Sequence, residues 1–505
     1  MKIVIGYPPL ESKKGTPLLS QNRQFQWFSS PTYIYPIVPA CAASLLKKAG
    51  YDVVWLDGIA ENWTFEQWIN RLKKEKPDLL LIETKTPVIK EHWTIINLIA
   101  CRMSHVACVL VGDHVTAMPE ESFKNSEVDY ILTGGDYDFL LLNLVNHITK
   151  SEKLQPGIFS RKKLASGSSL PKALHLGGQV KLATTGKFKL NHNLNHLPFI
   201  DRDLTKWKLY AYKNGNFQKT PGTYIMAGRD CWWRKKNGCS FCSWTTLYPK
   251  FRVRSVKNAL NEIGELINKY NVKEIMDDSG TFPAGNWLRE FCRGMIARKY
   301  NKKINFDCNL RFGALKEKDY GLIAKAGFRL LLFGLESASQ KTIDKLNKGI
   351  KVDQVEKELK VIKKANQKYK GRLSPHLTCM VGYPWEKLAD AQKTINLAKS
   401  FFQKGLIDTL QATIVIPYPG TKLFDYCKKN KLLKSLDWDK YDMKQPVIKT
   451  KISDKKLLAL TRGIYASAIA PAFIIRKIGA IRSFEDVLVL WKMGVKFVSK
   501  FWDFY

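Results

Sequence analysis

Three cysteines, Cys231, Cys239 and Cys242, fall in one short stretch, RDCWWRKKNGCSFCSW, of a chain with ten cysteines in 505 residues. Three chemistries compete for such a set. A structural zinc site ordinarily takes four ligands in paired spacing, and no fourth Cys or His stands at a matching distance nearby. A disulfide would leave one thiol over. Three thiolates can hold three irons of a four-iron cluster and leave the fourth iron open to a chelating ligand. An open coordination position is what a catalytic centre needs, so the odd count favours the cluster.

Other groups able to do chemistry stand at the ends of apolar runs. EIMDDSGTF supplies Asp277, Asp278 and Ser279, FDCNLRFG supplies Asn309 and Arg311, and RLLLFGLESAS supplies Glu336 and Ser337. CMVGYPWE adds Gly382, Pro384 and Glu386, and IPYPGT adds Pro417 to Thr421. A carboxylate at a strand end can accept from a hydroxyl or an ammonium group, or it can cap the next helix. A guanidinium there can clamp a carboxylate, or it can close a rim ion pair. His192 and His196 stand four apart, as helical metal ligands would. The Asn and Pro around them argue against a helix, so they read as packed or solvated.

The elements that must position these groups follow from periodicity. Over residues 1–150 apolar strands (KIVIGYPP, YDVVWLDG, PDLLLIET, VACVLVGDH, VDYILTGG) alternate with amphipathic helices. That alternation indicates a doubly wound parallel sheet, whose ligand lies beyond the carboxyl ends of the strands. Those ends are Gly6–Pro9, Asp57–Gly58, Glu83–Pro87, Gly112–Thr116 and Gly134–Asp136. No G-x-G-x-x-G follows the first strand, which disfavours a dinucleotide. Residues 151–220 are rich in turn formers and read as a connector. Residues 221–430 give six βα-like units in a row, a partial (β/α)6 barrel with its chemistry at the carboxyl ends of the strands. The three cysteines come just after the first of these strands. Residues 431–505 read as a helical region. The expected class is therefore α/β: a doubly wound parallel-sheet domain, a partial barrel and a helical C-terminal region.

Composition bounds the rest. A chain of this length holds about two to four domains. Lys and Arg total 82 against 45 Asp and Glu, a formal charge of +37. Such an excess suits an anionic partner, but the lysines are spread along the whole chain. No RNA-binding module and no single dense basic patch appears, so nucleic acid is not the expected partner. The other seven cysteines show no paired spacing and read as free thiols of a reducing cytoplasm. Met1–Pro9 is too short and too soon broken by proline for a signal peptide, and no run of about 18 apolar residues is present. In SFEDVLVLWKMGVKFVSKFW (483–502), Lys492, Lys496 and Lys500 form a basic stripe beside a wide apolar face. Such a helix can lie on an anionic membrane or pack on the barrel, so the location expected is cytoplasmic, with peripheral membrane contact as an option.

The cysteine stretch resembles the radical S-adenosylmethionine (SAM) enzymes. Their usual spacing is C-x3-C-x2-C; here it is C-x7-C-x2-C, as in some cobalamin-dependent members that methylate peptides. The resemblance runs on for some 200 residues. It implies that Cys231, Cys239 and Cys242 hold a [4Fe-4S] cluster, that Phe241 lies near the adenine of SAM, and that Glu336, with Ser337 beside it, contacts SAM. It assigns Asp278 and Arg311 to the amino and carboxylate ends of SAM and Gly382 to the adenine segment. Residues 1–150 resemble the cobalamin-binding domain of the same subgroup. The D-x-H-x-x-G cobalt-ligating motif is missing; His114 follows Asp113 directly, so the resemblance implies a cobalamin whose lower face is not held by histidine. The activity implied is methylation of an unactivated carbon. SAM cleavage gives a deoxyadenosyl radical, which abstracts hydrogen, and methylcobalamin delivers the methyl group. The C-terminal region resembles members acting on lipids and tetrapyrroles, so the substrate expected is a hydrophobic small molecule, a lipid or a peptide. A flavodoxin or ferredoxin is the expected reductant. Two other readings remain open here: a cobalamin-containing cyclase or rearrangement enzyme without methyl transfer, and a basic RNA-binding iron–sulfur protein.

Overall fold

The computed structural model describes residues 1–10, 12–19, 25–29, 32–161, 182–189 and 191–464. The basic amphipathic stretch 483–502 lies outside them. The first sheet has seven strands: β1 (Lys2–Tyr7), β2 (Asp52–Asp57), β3 (Leu79–Thr84), β4 (Ala107–Gly112), β5 (Tyr130–Leu132), β6 (Ile158–Ser160) and β7 (Ala183–Thr184). Their order is β2-β1-β3-β4-β5-β6-β7. The first five run parallel, and β6 and β7 join antiparallel. β3 and β4 bury all six residues each, the continuous apolar pattern of strands covered on both faces. The order turns back at β1, so the switch point lies between β1 and β3, where such a sheet places its ligand.

The second sheet has six parallel strands in chain order: β8 (Gly222–Ile225), β9 (Glu274–Asp277), β10 (Asn305–Leu310), β11 (Phe328–Glu336), β12 (Ser374–Val381) and β13 (Thr409–Ile414). This is the partial barrel the alternation predicts. Its helices start where the sequence says they should. In Val256–Tyr270, for example, the Ser255 hydroxyl accepts from Asn258 N at 3.2 Å and Asn271 ends the helix in the left-handed region.

Two features depart from the sequence reading. The stretch read as a connector contributes β6 and β7, strands too short to show a period. Helices also form over Asp113–Ala117, Pro119–Asn125 and Tyr137–Lys150. The last is apolar on most of its circumference and buries seven residues, which blurs its amphipathic signal. In the described part of the C-terminal region a bridge (Leu433 with Ile448) and a turn (Trp438–Lys440) precede the helix Asp454–Gly463. This segment straps onto the first sheet: Lys14 Nζ reaches Asp442 at 2.6 Å and Lys90 Nζ reaches Asp439 at 2.9 Å. Six of the seven other cysteines are buried free thiols, and Cys101 is exposed. Among the described residues no helix is long and apolar enough to cross a membrane.

Candidate active site

The cysteine loop leaves β8 through a two-stranded pair, Gly228–Arg229 with Arg252–Val253, at the barrel's carboxyl end. The seven residues between Cys231 and Cys239 are a folded piece of structure. Trp232–Lys236 makes a 3-10 turn closed by Asn237 in the left-handed region. Trp233 Nε1 donates to Asn347 O at 2.6 Å, and Asn347 Nδ2 donates to Gly238 O at 2.7 Å. Gly349 permits that contact: at φ +64°, a Cβ there would lie 2.2 Å from the Trp233 ring. Arg234 grips Asp230 through two hydrogen bonds of 2.5 and 2.8 Å.

Cys231 Sγ lies 3.0 Å from Thr281 Oγ1, on the loop after β9. The Cys239–Cys242 turn is fixed by Ser240 N donating to Leu346 O and Leu423 N donating to Ser240 O, both at 2.9 Å. Burial raises the Cys239 thiol pKa, and the cations of Lys348 and Arg311 oppose that rise. Cys242 is pushed up to about 12 by burial and by the neighbouring Cys239. Among the described residues no three Cys, His, Asp or Glu side chains converge into a ready metal site. The donor set nonetheless fits a thiolate-held cluster. The thiols are free, two of them sense one another, and three cations stand close to the loop to offset thiolate charge.

Around the loop the barrel mouth carries polar atoms with no hydrogen-bond partner. Arg311 is 5% exposed, its guanidinium 4.0 Å from the Trp233 ring centroid and 5.5 Å from that of Trp232. Its Nη2 is buried without a partner, as are Trp232 Nε1, Tyr383 Oη and Glu386 Oε1. Glu336 sits at φ +64° at the end of β11, and its Oε1 accepts from Lys348 Nζ at 2.6 Å. The same ammonium stands 5.8 Å from the Phe241 ring. Asp277 and Ser279 brace the backbone: Asp277 Oδ2 accepts from Ala227 N at 2.6 Å and Ser279 Oγ from Gly228 N at 2.9 Å. Asp278 is buried beside them. Gly382 N donates to Glu386 Oε2 at 2.7 Å, and burial pushes Glu386 up to about 7.

The structure thus gathers Phe241, Arg311 and Glu336 around the cysteines and sets Asp278 and Gly382 at neighbouring strand ends. Ser337 is the exception. Its hydroxyl pairs with Thr394 Oγ1 at 3.4 Å and accepts from Ser339 N at 3.1 Å, because the residue after Glu336 turns toward the helix Leu388–Gln403. Lys348, Thr281 and Tyr383 are absent from the sequence reading. Lys348 carries no distinguishing signal in a chain with lysine everywhere.

The mouth of the first sheet is built differently. Glu83 at the end of β3 accepts from Tyr137 Oη at 2.9 Å and from Tyr7 Oη at the end of β1. Asp57 Oδ2 accepts from Tyr210 Oη at 2.5 Å. His114 is fully buried. Its Nδ1 lies 3.2 Å from Thr86 Oγ1, its Nε2 3.1 Å from Glu121 Oε2, and the Trp438 ring closes over it at 5.2 Å. Both ring nitrogens are occupied, so this mouth fits a cobalamin that takes no axial imidazole from His114. His192, too, is a packed residue, stacked on Phe139 at 4.2 Å, and His196 sits in a separate 3-10 turn.

The two mouths adjoin. Gly135 N, just past β5, donates to Leu247 O at 2.9 Å, and Tyr248 Oη donates to Gly135 O at 3.1 Å. A Cβ on Gly135 would lie 2.0 Å from the Tyr248 ring, so only glycine allows the two units to meet this closely.

Comparison with known proteins agrees with this architecture. The radical SAM superfamily profile matches residues 228–398, and the B12 binding domain profile matches residues 28–139. An uncharacterized methyltransferase of Pyrococcus horikoshii is 26% identical over 95% of this chain and 95% of its own length. The anaerobic magnesium-protoporphyrin IX monomethyl ester cyclase of Cereibacter sphaeroides is 26% identical over 84% of this chain and 64% of its own. The solved structure of the cobalamin-dependent S-adenosylmethionine radical enzyme OxsB, with aqua-cobalamin and S-adenosylmethionine bound, shares the fold. It has a TM-score of 0.68 at 14% identity and covers 99% of this chain and 71% of that one. With a B12 binding domain and a radical SAM domain on one chain, the protein belongs to the cobalamin-dependent radical SAM enzyme family.

Proposed function

We propose that this enzyme is a C-methyltransferase acting on an unactivated carbon of a hydrophobic small molecule. The observation that carries the reading is the contact at Gly135: the loop after β5 of the cobalamin-binding sheet packs directly on Leu247 and Tyr248, just beyond the cysteine loop. When bound, the cluster with SAM supplies a 5′-deoxyadenosyl radical and cobalamin supplies a methyl group; the protein binds, orients and excludes water. Cys231, Cys239 and Cys242 are the proposed cluster ligands. Arg311, with its guanidinium 4.0 Å from the Trp233 ring centroid and its Nη2 unmet, is the proposed partner of the SAM carboxylate. Lys348 neutralises Glu336, and that carboxylate is the proposed acceptor of a SAM hydroxyl or ammonium. Phe241 offers a ring face to adenine. His114, with a partner already on each ring nitrogen, would not hold the cobalamin.

The likeness to a methyltransferase across nearly the full length of both chains supports methyl transfer. The cyclase relative supports a second reading, cyclisation with cobalamin but no methyl transfer. The test is anaerobic reconstitution with iron, sulfide and hydroxocobalamin, followed by turnover with candidate hydrophobic substrates. About four irons and one cobalt per chain are expected, with S-adenosylhomocysteine and 5′-deoxyadenosine formed in equal amounts. Deoxyadenosine without S-adenosylhomocysteine would move the assignment to the cyclase, and a folded chain that takes up no cobalt would overturn both.

A further inference from the structure

The loop after β5 does more than touch the barrel. Asp136, fully buried, has both carboxylate oxygens taken by residues of later segments. Its Oδ1 accepts from Arg229 Nη1 and from Arg252 Nη2, each at 2.7 Å. Its Oδ2 accepts from Arg252 Nη1 at 2.6 Å and lies 3.1 Å from His192 Nδ1. Arg229 also grips Asp138, through Nη1 at 2.9 Å and a second, shorter contact from Nη2. Two arginines and two aspartates thus close a neutral network with almost no access to water. Burial alone would raise the Asp136 pKa; Arg229, His192 and Arg252 reverse this and hold it well below the usual carboxylate range.

The placement of the arginines gives the network a purpose beyond cohesion. Arg229 and Arg252 are register partners in the two-stranded pair that carries the chain into the cysteine loop. Arg229 is two residues before Cys231. Between them Asp230 takes φ +80°, and its carbonyl packs on Gly280, where a Cβ would lie 3.0 Å away. The cysteine loop therefore hangs from a guanidinium whose anchor belongs to the cobalamin-binding sheet. A buried ion network is weak evidence for stability; its best-attested use is to fix one geometry among several.

We propose that Asp136 is a positioning residue, gripping Arg229 and Arg252 so that the Cys231 loop and the mouth of the first sheet keep one separation and angle. The inference rests on the two-cofactor reading above. Its substitutions should separate two events that share SAM: cleavage at the cluster, which needs the barrel alone, and transfer between SAM and cobalt, which needs both mouths in register.

The experiment uses the full chain loaded with iron, sulfide and hydroxocobalamin, with SAM and dithionite as the only reactants. Asp136→Asn keeps shape and leaves Arg229 its contacts with Asp138, so folding is protected. Arg252→Gln attacks the same carboxylate from the other side. Both variants should retain iron, cobalt and 5′-deoxyadenosine formation. Both should lose methylation of reduced cobalamin by SAM, read from the visible spectrum, by about a hundredfold, the scale set by a misplacement of 1 Å. They should also lose the magnetic broadening of the cob(II)alamin EPR signal by the reduced cluster, a readout independent of turnover. The double variant should be no worse than either single one. Unchanged methylation and broadening would overturn the proposal. So would parallel loss of both cofactors, which would make the network merely structural. Wild-type protein that loads neither metal would instead overturn the two-cofactor reading.

Discussion

The two mouths adjoin at Gly135 but are finished to different degrees. At the first sheet most of the polar groups satisfy one another: Tyr7 and Tyr137 share Glu83, Tyr210 closes Asp57, and His114 has a partner on each ring nitrogen, while His92, beside Thr84, keeps its Nε2 unmet. At the barrel, Arg311, Trp232, Tyr383 and Glu386 each keep a buried polar atom unmet. A buried donor or acceptor without a partner costs about 1–3 kcal/mol, so a mouth that carries several is a mouth shaped for a polar ligand. A self-satisfied mouth suits a large ligand gripped by shape and by its own periphery. The contrast is in keeping with the two proposed tenants: a sulfonium amino acid at the barrel and a macrocycle at the first sheet.

The contrast can be broken in graded ways. The largest effect is expected from Cys239→Ala, which should bring SAM cleavage to background and lower bound iron while cobalt uptake persists. A cluster that forms and cleaves SAM in this variant would remove Cys239 from the ligand set. Next is Arg311→Met. Loss of a charge-assisted hydrogen bond worth about 1.5–3 kcal/mol should weaken SAM binding about ten- to a hundredfold, with the iron content intact; equilibrium binding under anaerobic conditions measures it. At the satisfied mouth, His114→Gln should cost about 1–3 kcal/mol of stability in chemical unfolding. It should leave cobalt occupancy and the cob(II)alamin spectrum as they were, whereas a changed axial nitrogen signature would show that His114 reaches the metal after all.

The smallest effect sharpens the comparison through pH. Burial raises Glu386 to about 7 in the folded chain, above its unfolded value. A carboxyl of that kind favours the fold while protonated and opposes it once ionised. Stability should therefore fall as pH rises from the ordinary glutamate range through about 7 and then level off. Asp277, also raised to about 7 by burial, and Asp57, raised to about 6, act in the same direction. Glu386→Gln keeps an acceptor for Gly382 N and removes one charge. It should recover about 1–3 kcal/mol at pH 8 and almost nothing at pH 4, read as the difference between two unfolding curves.

How far the sequence reveals such a molecule depends on the range of the forces. Alternation of short apolar runs and amphipathic stretches is local, so the strands of both sheets and helices such as Val256–Tyr270 can be read directly. The three thiols, Glu336 and Arg311 are legible because chemistry restricts residue type and spacing at strand ends. What stays hidden is whatever depends on distant partners. β6 and β7 exist only as additions to a sheet edge, and three and two residues are too few to show a period. Lys348 matters because its ammonium lands on Glu336, and the Ser337 hydroxyl meets Thr394, a partner 57 positions away. Asp136 and Arg229 stand 93 positions apart, and nothing local in either marks the other.

The folded insert between Cys231 and Cys239 bears on the assembly of the metal centre. A cluster that bridges thiols across a floppy loop must close a ring of backbone, and the entropy of closure rises with ring size. The rise is slow: doubling the loop adds only about 0.6 kcal/mol. Widening the spacing from x3 to x7 therefore carries little thermodynamic penalty even for a disordered chain. Here the chain has less freedom still to lose, because Trp233 on Asn347 and Arg234 on Asp230 already fix the path of the insert. Iron delivered to this chain meets a loop whose backbone folding has already shaped, with the convergence of the thiols left to the metal.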